Sequence, residues 1–271
     1  MSKSHFLLVL LPKKHLNLIA LGTNLPLEKR CESTRWRRED MSIRNISMFI
    51  GCMCVTSSIG VADIWFDPAG DIATGNPNLD ITSFEITDNG SDLFMTIEVA
   101  DLSDAWGNYM IFLDVPGLGD YNPGYSGSGD NDNPWGRNVS GLAGTDFFLG
   151  SGSWGGSLYE YYDDSWFDWG SGAETLWGFE SEFNQAENTI SFSLYGFVAD
   201  AMAIGFEGVN FEVGTTGGNW GDPAIDLLNG TGGNWGEGST GAWEYYQFST
   251  VPAPGALVLL TIAGFSRKRR I

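Results

Sequence analysis

The sequence predicts an all-β protein, an antiparallel β-sandwich of jelly-roll type with long glycine-rich loops. Three observations predict it. Apolar residues recur with period two in several short segments, as in half-buried strands. Most of the 37 glycines fall between those segments, where turns need them. No stretch holds the 3.6-residue period of a long amphipathic helix, and no strand–helix alternation supports a parallel α/β fold.

The elements follow in chain order. Ile81–Asp88 alternates Phe84 and Ile86 with Ser83, Glu85 and Thr87. Leu93–Val99 alternates Leu93, Met95, Ile97 and Val99 with Phe94, Thr96 and Glu98. Between them stands Asp88-Asn89-Gly90-Ser91, a hairpin turn signal. Asn108–Val115 is apolar on both faces and suits a central strand. Asn188–Val198 alternates Ile190, Phe192 and Leu194 with serines. Ala203–Val213 alternates and then shifts phase at Gly208, which predicts a bulge. Trp243–Val251 reads as the last strand. Helical signal is confined to Asp222–Gly230, where Asp222 is a plausible N-cap, Pro223 takes the first helical position and Asn229-Gly230 is a stop, and to a turn or two over Ala173–Phe183. A short echo, Thr216–Asp222 (TGGNWGD) and Thr231–Glu237 (TGGNWGE), reads as a duplicated loop rather than a solenoid repeat.

The two ends differ from this body. Residues 1–40 are basic and aperiodic, and read as an over-called or dispensable extension, with a genuine cytosolic tail as the alternative. Residues 41–62 run from Met41 through Arg44 and an apolar stretch to Gly60 and Ala62. That is the layout of a secretory signal peptide cleaved between Ala62 and Asp63. Lipoprotein processing at Cys52 is the alternative. Residues 63–250 then form the predicted β-sandwich domain. Residues 251–271 hold Pro252-Ala253-Pro254, an apolar run, and the cluster Arg267, Lys268, Arg269 and Arg270. The apolar run, expected as a short helix, falls short of the roughly 20 residues that span a bilayer. A plain short tail anchor is the alternative reading.

The tail resembles the PEP-CTERM sorting signal of bacterial exported proteins, with Ala253 in place of the usual glutamate. That resemblance implies an exosortase-type membrane enzyme that cuts near Pro252–Pro254. It also implies delivery to the cell surface or extracellular polysaccharide matrix, with membrane contact only through the tail before processing. The opening of the body, Gly70–Asp101 followed by Asn108–Val115, resembles exported β-sandwich modules related to family-nine carbohydrate-binding modules. That resemblance implies a sandwich, structural calcium and glycan binding.

Composition narrows the functions. Four of the 34 acidic residues (Glu28, Glu32, Glu39 and Asp40) precede Asp63, which leaves 30 against one base, Arg137, up to Ser266. Such a chain does not bind nucleic acid, whose affinity comes from cations that neutralise phosphates. It does invite hard cations that take oxygen ligands. The three cysteines (Cys31, Cys52, Cys54) and both histidines (His5, His15) also precede Asp63. The body therefore has no disulfide, no Cys or His metal site and no Ser-His or Cys-His nucleophile. Chemistry there rests on carboxylates alone, as in glycosidases.

Two constellations stand out. Acidic and amide residues interleaved with glycine over 67–80 (Asp67, Asp71, Asn76, Asn78, Asp80) and 114–133 (Asp114, Asp120, Asn122, Asp130, Asp132, Asn133) have the ligand chemistry of calcium, without the spacing of an EF-hand. Turn formation is the competing explanation. Asp71, Asn78, Asp80, Asp114, Asp120, Asp130 and Asp132 are the candidate ligands. The second constellation is aromatic: Trp106, Trp135, Trp154, Tyr159, Trp177 and others, densest over 157–170. Sugar rings present apolar C–H faces on which exposed aromatics stack. Tyr161, Tyr162, Trp166 and Trp169, read as a glycine-flanked loop, and Trp220 and Trp235 of the echoed loops are the sugar-stacking candidates. Core packing competes as the explanation for each.

The sequence thus predicts an exported, non-catalytic protein of the cell surface or matrix that meets extracellular polysaccharide and takes calcium. A purely structural surface protein and a carboxylate-only glycoside hydrolase are the alternatives.

Overall fold

Period-two segments whose buried faces match must pair, and the computed structural model shows how. It describes residues 62–118, 133–162 and 164–249. The predicted leader before Ala62, the sorting tail, and Asp120, Asp130 and Asp132 lie outside the described residues.

The described chain is mostly β, in antiparallel sheets. The strands are β1 (Asp63–Phe66), β2 (Ile81–Asp88), β3 (Leu93–Val99), β4 (Asn108–Asp114), β5 (Val139–Ser140), β6 (Phe147–Gly152), β7 (Gly155–Tyr162), β8 (Ser165–Gly170), β9 (Glu180–Asn184), β10 (Thr189–Leu194), β11 (Gly208–Thr216), β12 (Ala224–Leu227), β13 (Ser239–Thr240) and β14 (Glu244–Gln247). One sheet runs β1-β2-β3-β10-β9. A second runs β12-β11-β4-β6-β7-β8, with β14 also on β11, and β5 and β13 form a small parallel pair. Ala62 lies just before β1, whose Asp63 pairs with Ile86.

The predicted hairpin is present, with Ile86 opposite Met95 and Phe84 opposite Ile97. Its turn is closed by side chains. Asp88 accepts the Gly90 N–H, Asn89 accepts those of Ser91 and Asp92, and Gly90 takes φ 79°. Strand β4 is central, between β11 and β6, and is buried on both faces. Tyr109, Ile111 and Leu113 join the main apolar cluster with Phe84, Met95, Ile97 and Phe192 of the other sheet. Met110 and Phe112 join a second cluster with Phe148, Val139, Leu142 and Leu227 on the opposite face. The segment around β5, with Val139 and Leu142, and Trp135 and Trp243 pack on that second face, so the run from Tyr109 to Leu113 shows no alternation.

Three local expectations are corrected. Asp222–Gly230 is not a helix: Ala224–Leu227 is strand β12, with all four residues buried. Pairing of Gly214 with Leu227 and Thr215 with Asp226 outweighs the capping signals, and Asp222 closes a turn instead. Gly208 is not a bulge but the first residue of β11. The phase shift arises because α1 (Phe197–Ala203), the α-helix of the described residues, and a short turn precede it. Phe197, Val198 and Ala201 of that helix are buried, with Phe197 against Trp177 at 4.8 Å. The stretch 157–170 is the β7–β8 hairpin rather than a loop. Over 173–183, Leu176–Gly178 is a 3-10 turn and Glu180–Asn184 is strand β9.

Candidate functional site

One rim of the larger sheet gathers five of the tryptophans. The antiparallel registers Asn108↔Gly152, Gly152↔Gly155, Asn108↔Thr216 and Thr216↔Ala224 place the start of β4, the β6–β7 turn and the β11–β12 loop at the same end. The echoed loops share one local structure. In Asn219–Asp222 and Asn234–Glu237 the N–H of the acid bonds back to the asparagine carbonyl, at 3.2 and 2.9 Å. The asparagine N–H donates to the acid's carboxylate, at 2.8 and 3.3 Å. The glycine between, Gly221 or Gly236, takes φ 82° or 79°, which a side chain would resist. Each turn thrusts its second residue outward: Trp220 is 71% exposed and Trp235 42%.

Glycines also seat the rings. A Cβ on Gly136 would lie 2.3 Å from Trp220, and one on Gly150 or Gly152 would collide with Trp135 or Trp154. Trp135 and Trp154 meet edge-on at 5.8 Å, and Trp106 and Trp235 are tilted by 42° at 6.2 Å. Asn108 joins the two pairs, accepting from Trp154 Nε1 at 2.9 Å and donating to the Gly217 carbonyl, beside Trp235, at 2.9 Å. Arg137, the one base among the described residues, is nearly buried here. Its guanidinium lies 5.7 Å over the Trp135 ring and donates to the Asn219 carbonyl. The rim is therefore held by backbone and side-chain bonds, while Trp106, Trp154, Trp220 and Trp235 remain exposed. Its planes are mutually inclined, so it offers a faceted surface rather than a flat platform.

The other predicted stacking residues lie elsewhere. Trp166 and Trp169 stand three apart on β8 and so face opposite sides of the sheet. Trp166 packs against the second cluster and Trp169 against the first, with Trp169 Nε1 bonded to Glu160 at 3.0 Å. Tyr161 sits 5.3 Å from Trp166, and Tyr162 is 39% exposed at the hairpin end. The structure brings Trp220 and Trp235 to one rim and keeps Tyr161, Tyr162, Trp166 and Trp169 in a separate hairpin, where Trp166 and Trp169 pack on opposite faces of the sheet and Tyr162 is exposed. Sequence reasoning named Trp106, Trp135 and Trp154 only among the aromatics at large. Gly150 and Gly152, within an otherwise strand-like run, were the signal that large rings approach there.

The predicted acidic ligands divide. Asp71, Asn78 and Asp80 belong to the β1–β2 loop, and a distant residue, Asp226 of β12, joins them. Carboxylate oxygens of Asp67, Asp71 and Asp226 lie within 4.8 Å of one another. Asp226 Oδ2 accepts the Ile81 N–H at 2.7 Å and Oδ1 the Leu227 N–H at 2.9 Å, which ties β12 to the start of β2. Burial, and then the charges of Asp71 and Asp80, push the Asp67 carboxyl up to about 6. Burial pushes Asp226 up to about 7, and Asp80 is also raised, again by burial first. Asp114 is at the far end of β4, bonded to Asn210 Nδ2 at 2.7 Å. The Tyr109 hydroxyl, near the start of β4, reaches the Asn78 carbonyl. A strand of this length separates its ends by about 20 Å, so Asp114 and Asp80 cannot share an ion. Asn78 is 1% exposed, and it is its main-chain carbonyl, not its side chain, that accepts the Tyr109 bond.

Glu212 is a third buried carboxylate and belongs to the scaffold. It is fully buried and accepts the N–H groups of Val213, Asn229 and Ala242, which pins the loop carrying Trp235 to β11. Burial pushes its carboxyl up to about 7 against those three donors.

No family model and no curated protein matches the chain. Among the described residues no helix is long and apolar enough to cross a membrane.

Proposed function

We propose that the protein is an exported, non-catalytic module, a jelly-roll-like β-sandwich, that binds polysaccharide at the cell surface or in the extracellular matrix of a bacterium. The observation that carries this reading is the rim on which glycine turns hold Trp106, Trp154, Trp220 and Trp235 exposed. Two antiparallel sheets that share one apolar cluster support the sandwich. The leader-like and sorting-tail-like ends support export, with an exosortase-type enzyme as processing partner. The rim carboxylates Asp222 and Glu237 are engaged by backbone N–H groups of their own turns, which suits a scaffold role better than acid–base work. Inclined ring planes suit a twisted or short glycan better than a flat ribbon, whose sugars would share one plane.

A structural role without a ligand draws on a different feature. Among the described residues, edge strand β1 pairs on one side only and exposes Ile64 (49%) and Phe66 (81%), and such an edge invites another chain.

Migration of the full chain through native gels that contain different polysaccharides tests the proposal. Retardation by at least one of them is expected. Unaltered migration in every gel would overturn glycan binding and leave the structural role.

A further inference from the structure

The loop between β1 and β2 concentrates buried polar atoms that nothing satisfies. Six such side-chain atoms lack a partner among the described residues, and four of them belong to residues 67–80: Asp67 Oδ2, Thr74 Oγ1, Asn78 Nδ2 and Asp80 Oδ1. Folded proteins leave few buried polar groups unpaired, because each forfeits its hydrogen bonds to water. Asp80 is the telling case. It is 5% exposed, gives Oδ2 to the Gly70 N–H at 2.7 Å, and buries Oδ1 with no partner. The charge of Asp80 is felt at Asp67, and that of Asp71 at both, so Asp80 lies beside the acidic group rather than within its 4.8 Å span. Asp67 and Asp71 in turn share the 4.8 Å cluster with Asp226.

We propose that this cluster is a calcium site, with Asp67, Asp71 and Asp226 as ligands and Asp80 and the Thr74 hydroxyl, from the same loop, to complete the set. The donors are all hard oxygens, and the glycine-bearing loop suits an ion that takes six to eight flexible ligands at about 2.3–2.6 Å. An ion about 2.4 Å from each of two oxygens bridges a separation of about 4.8 Å, the span within which the cluster lies. The charge argument agrees: Arg137, the only base of the described residues, is engaged at the tryptophan rim, so no described side chain neutralises the carboxylates. The ion would join β12 of one sheet to the β1–β2 loop of the other, across the contact that Asp226 already makes with Ile81. This site is independent of the glycan reading.

Calorimetric titration of the chelator-treated full chain with calcium and with magnesium, together with thermal unfolding in each, tests the assignment. One calcium per chain and a higher Tm are expected, with magnesium at least tenfold weaker. Asp67→Asn is expected to lower calcium affinity at least tenfold yet to melt no lower than the parent in chelator, since it removes a repelling charge. Asp114→Asn, outside the cluster, is expected to bind as the parent does. Absence of both heat and a Tm shift at millimolar calcium would overturn the site, as would parental affinity in Asp67→Asn. Equal affinity for magnesium would overturn calcium as its ion. These readouts involve no polysaccharide, so their failure is distinguishable from failure of the rim.

Discussion

Trp220→Ala separates a binding role from a packing role. With 71% of its surface exposed, Trp220 buries about 60 Å² of the area a tryptophan offers. At roughly 25 cal/mol per Å² that contributes about 1.5 kcal/mol to the fold, with the ring lying close against Gly136. The Asn219–Asp222 turn is closed by backbone and Asp222 side-chain bonds that do not involve the indole, so it survives the substitution. A tryptophan that anchors a ligand is worth at least about 2 kcal/mol on truncation, or roughly 30-fold in Kd. The variant should therefore lose most of its retardation by polysaccharide while its urea unfolding free energy falls by no more than about 1.5 kcal/mol. Affinity gels and equilibrium unfolding on the same preparation measure both. Unchanged retardation with full stability would refute the rim as the binding surface. A stability loss of several kcal/mol would refute the claim that this ring stands outside the core.

Further outcomes follow from the same contacts. Gly136→Ala places a methyl 2.3 Å from the Trp220 ring at φ 62°, so it should displace the ring and weaken retardation much as Trp220→Ala does, with altered tryptophan fluorescence as the direct check. Glu212 has a folded pKa of about 7 against an ordinary 4.5; its stabilising share is complete below 4.5 and lost as pH rises through 7, about 3 kcal/mol in all. Glu212→Gln should remove that part of the pH dependence in urea unfolding measured in chelator, and an unchanged slope between pH 4.5 and 7.5 would count against it. With 30 acids against one base up to Ser266, the chain should be retarded by neutral polysaccharides at any moderate salt and, in chelator, pass acidic ones freely. Strong chelator-insensitive binding to a polyuronate would contradict this.

The sequence disclosed those parts of the fold whose causes are local. The Asp88–Ser91 turn is closed by its own side chains, and β3 buries alternate residues, so both were legible from a few positions. Strand β4 was legible as central because nothing else explains five apolar residues in a row. Strand β12 was not legible, because its strand character comes from pairing with β11, and its flanks carry turn chemistry that also suits a helix end. The β7–β8 hairpin was misread for a related reason. Its aromatics pack against two clusters on opposite faces of one sheet, and a segment with aromatics on both faces looks like an aromatic loop rather than a half-buried strand.

The candidate sites divide along the same line. The tryptophan rim is written locally, in repeated Asn-Trp-Gly-acid turns, and the echo at Thr216–Asp222 and Thr231–Glu237 marks two matching presentations of one side chain. What the echo could not show is that Trp154, Trp106 and Asn108 arrive at the same rim, because strand register alone brings them there. The acidic cluster is the reverse case. Its loop residues were visible as a group, but Asp226 sits 145 positions from its Ile81 partner and looked like an ordinary residue of a predicted helix. A carboxylate placed among apolar neighbours on a fully buried strand requires a reason in the folded state. Its two backbone donors supply part of that reason, and the cation proposed to join it to Asp67 and Asp71 would supply the rest.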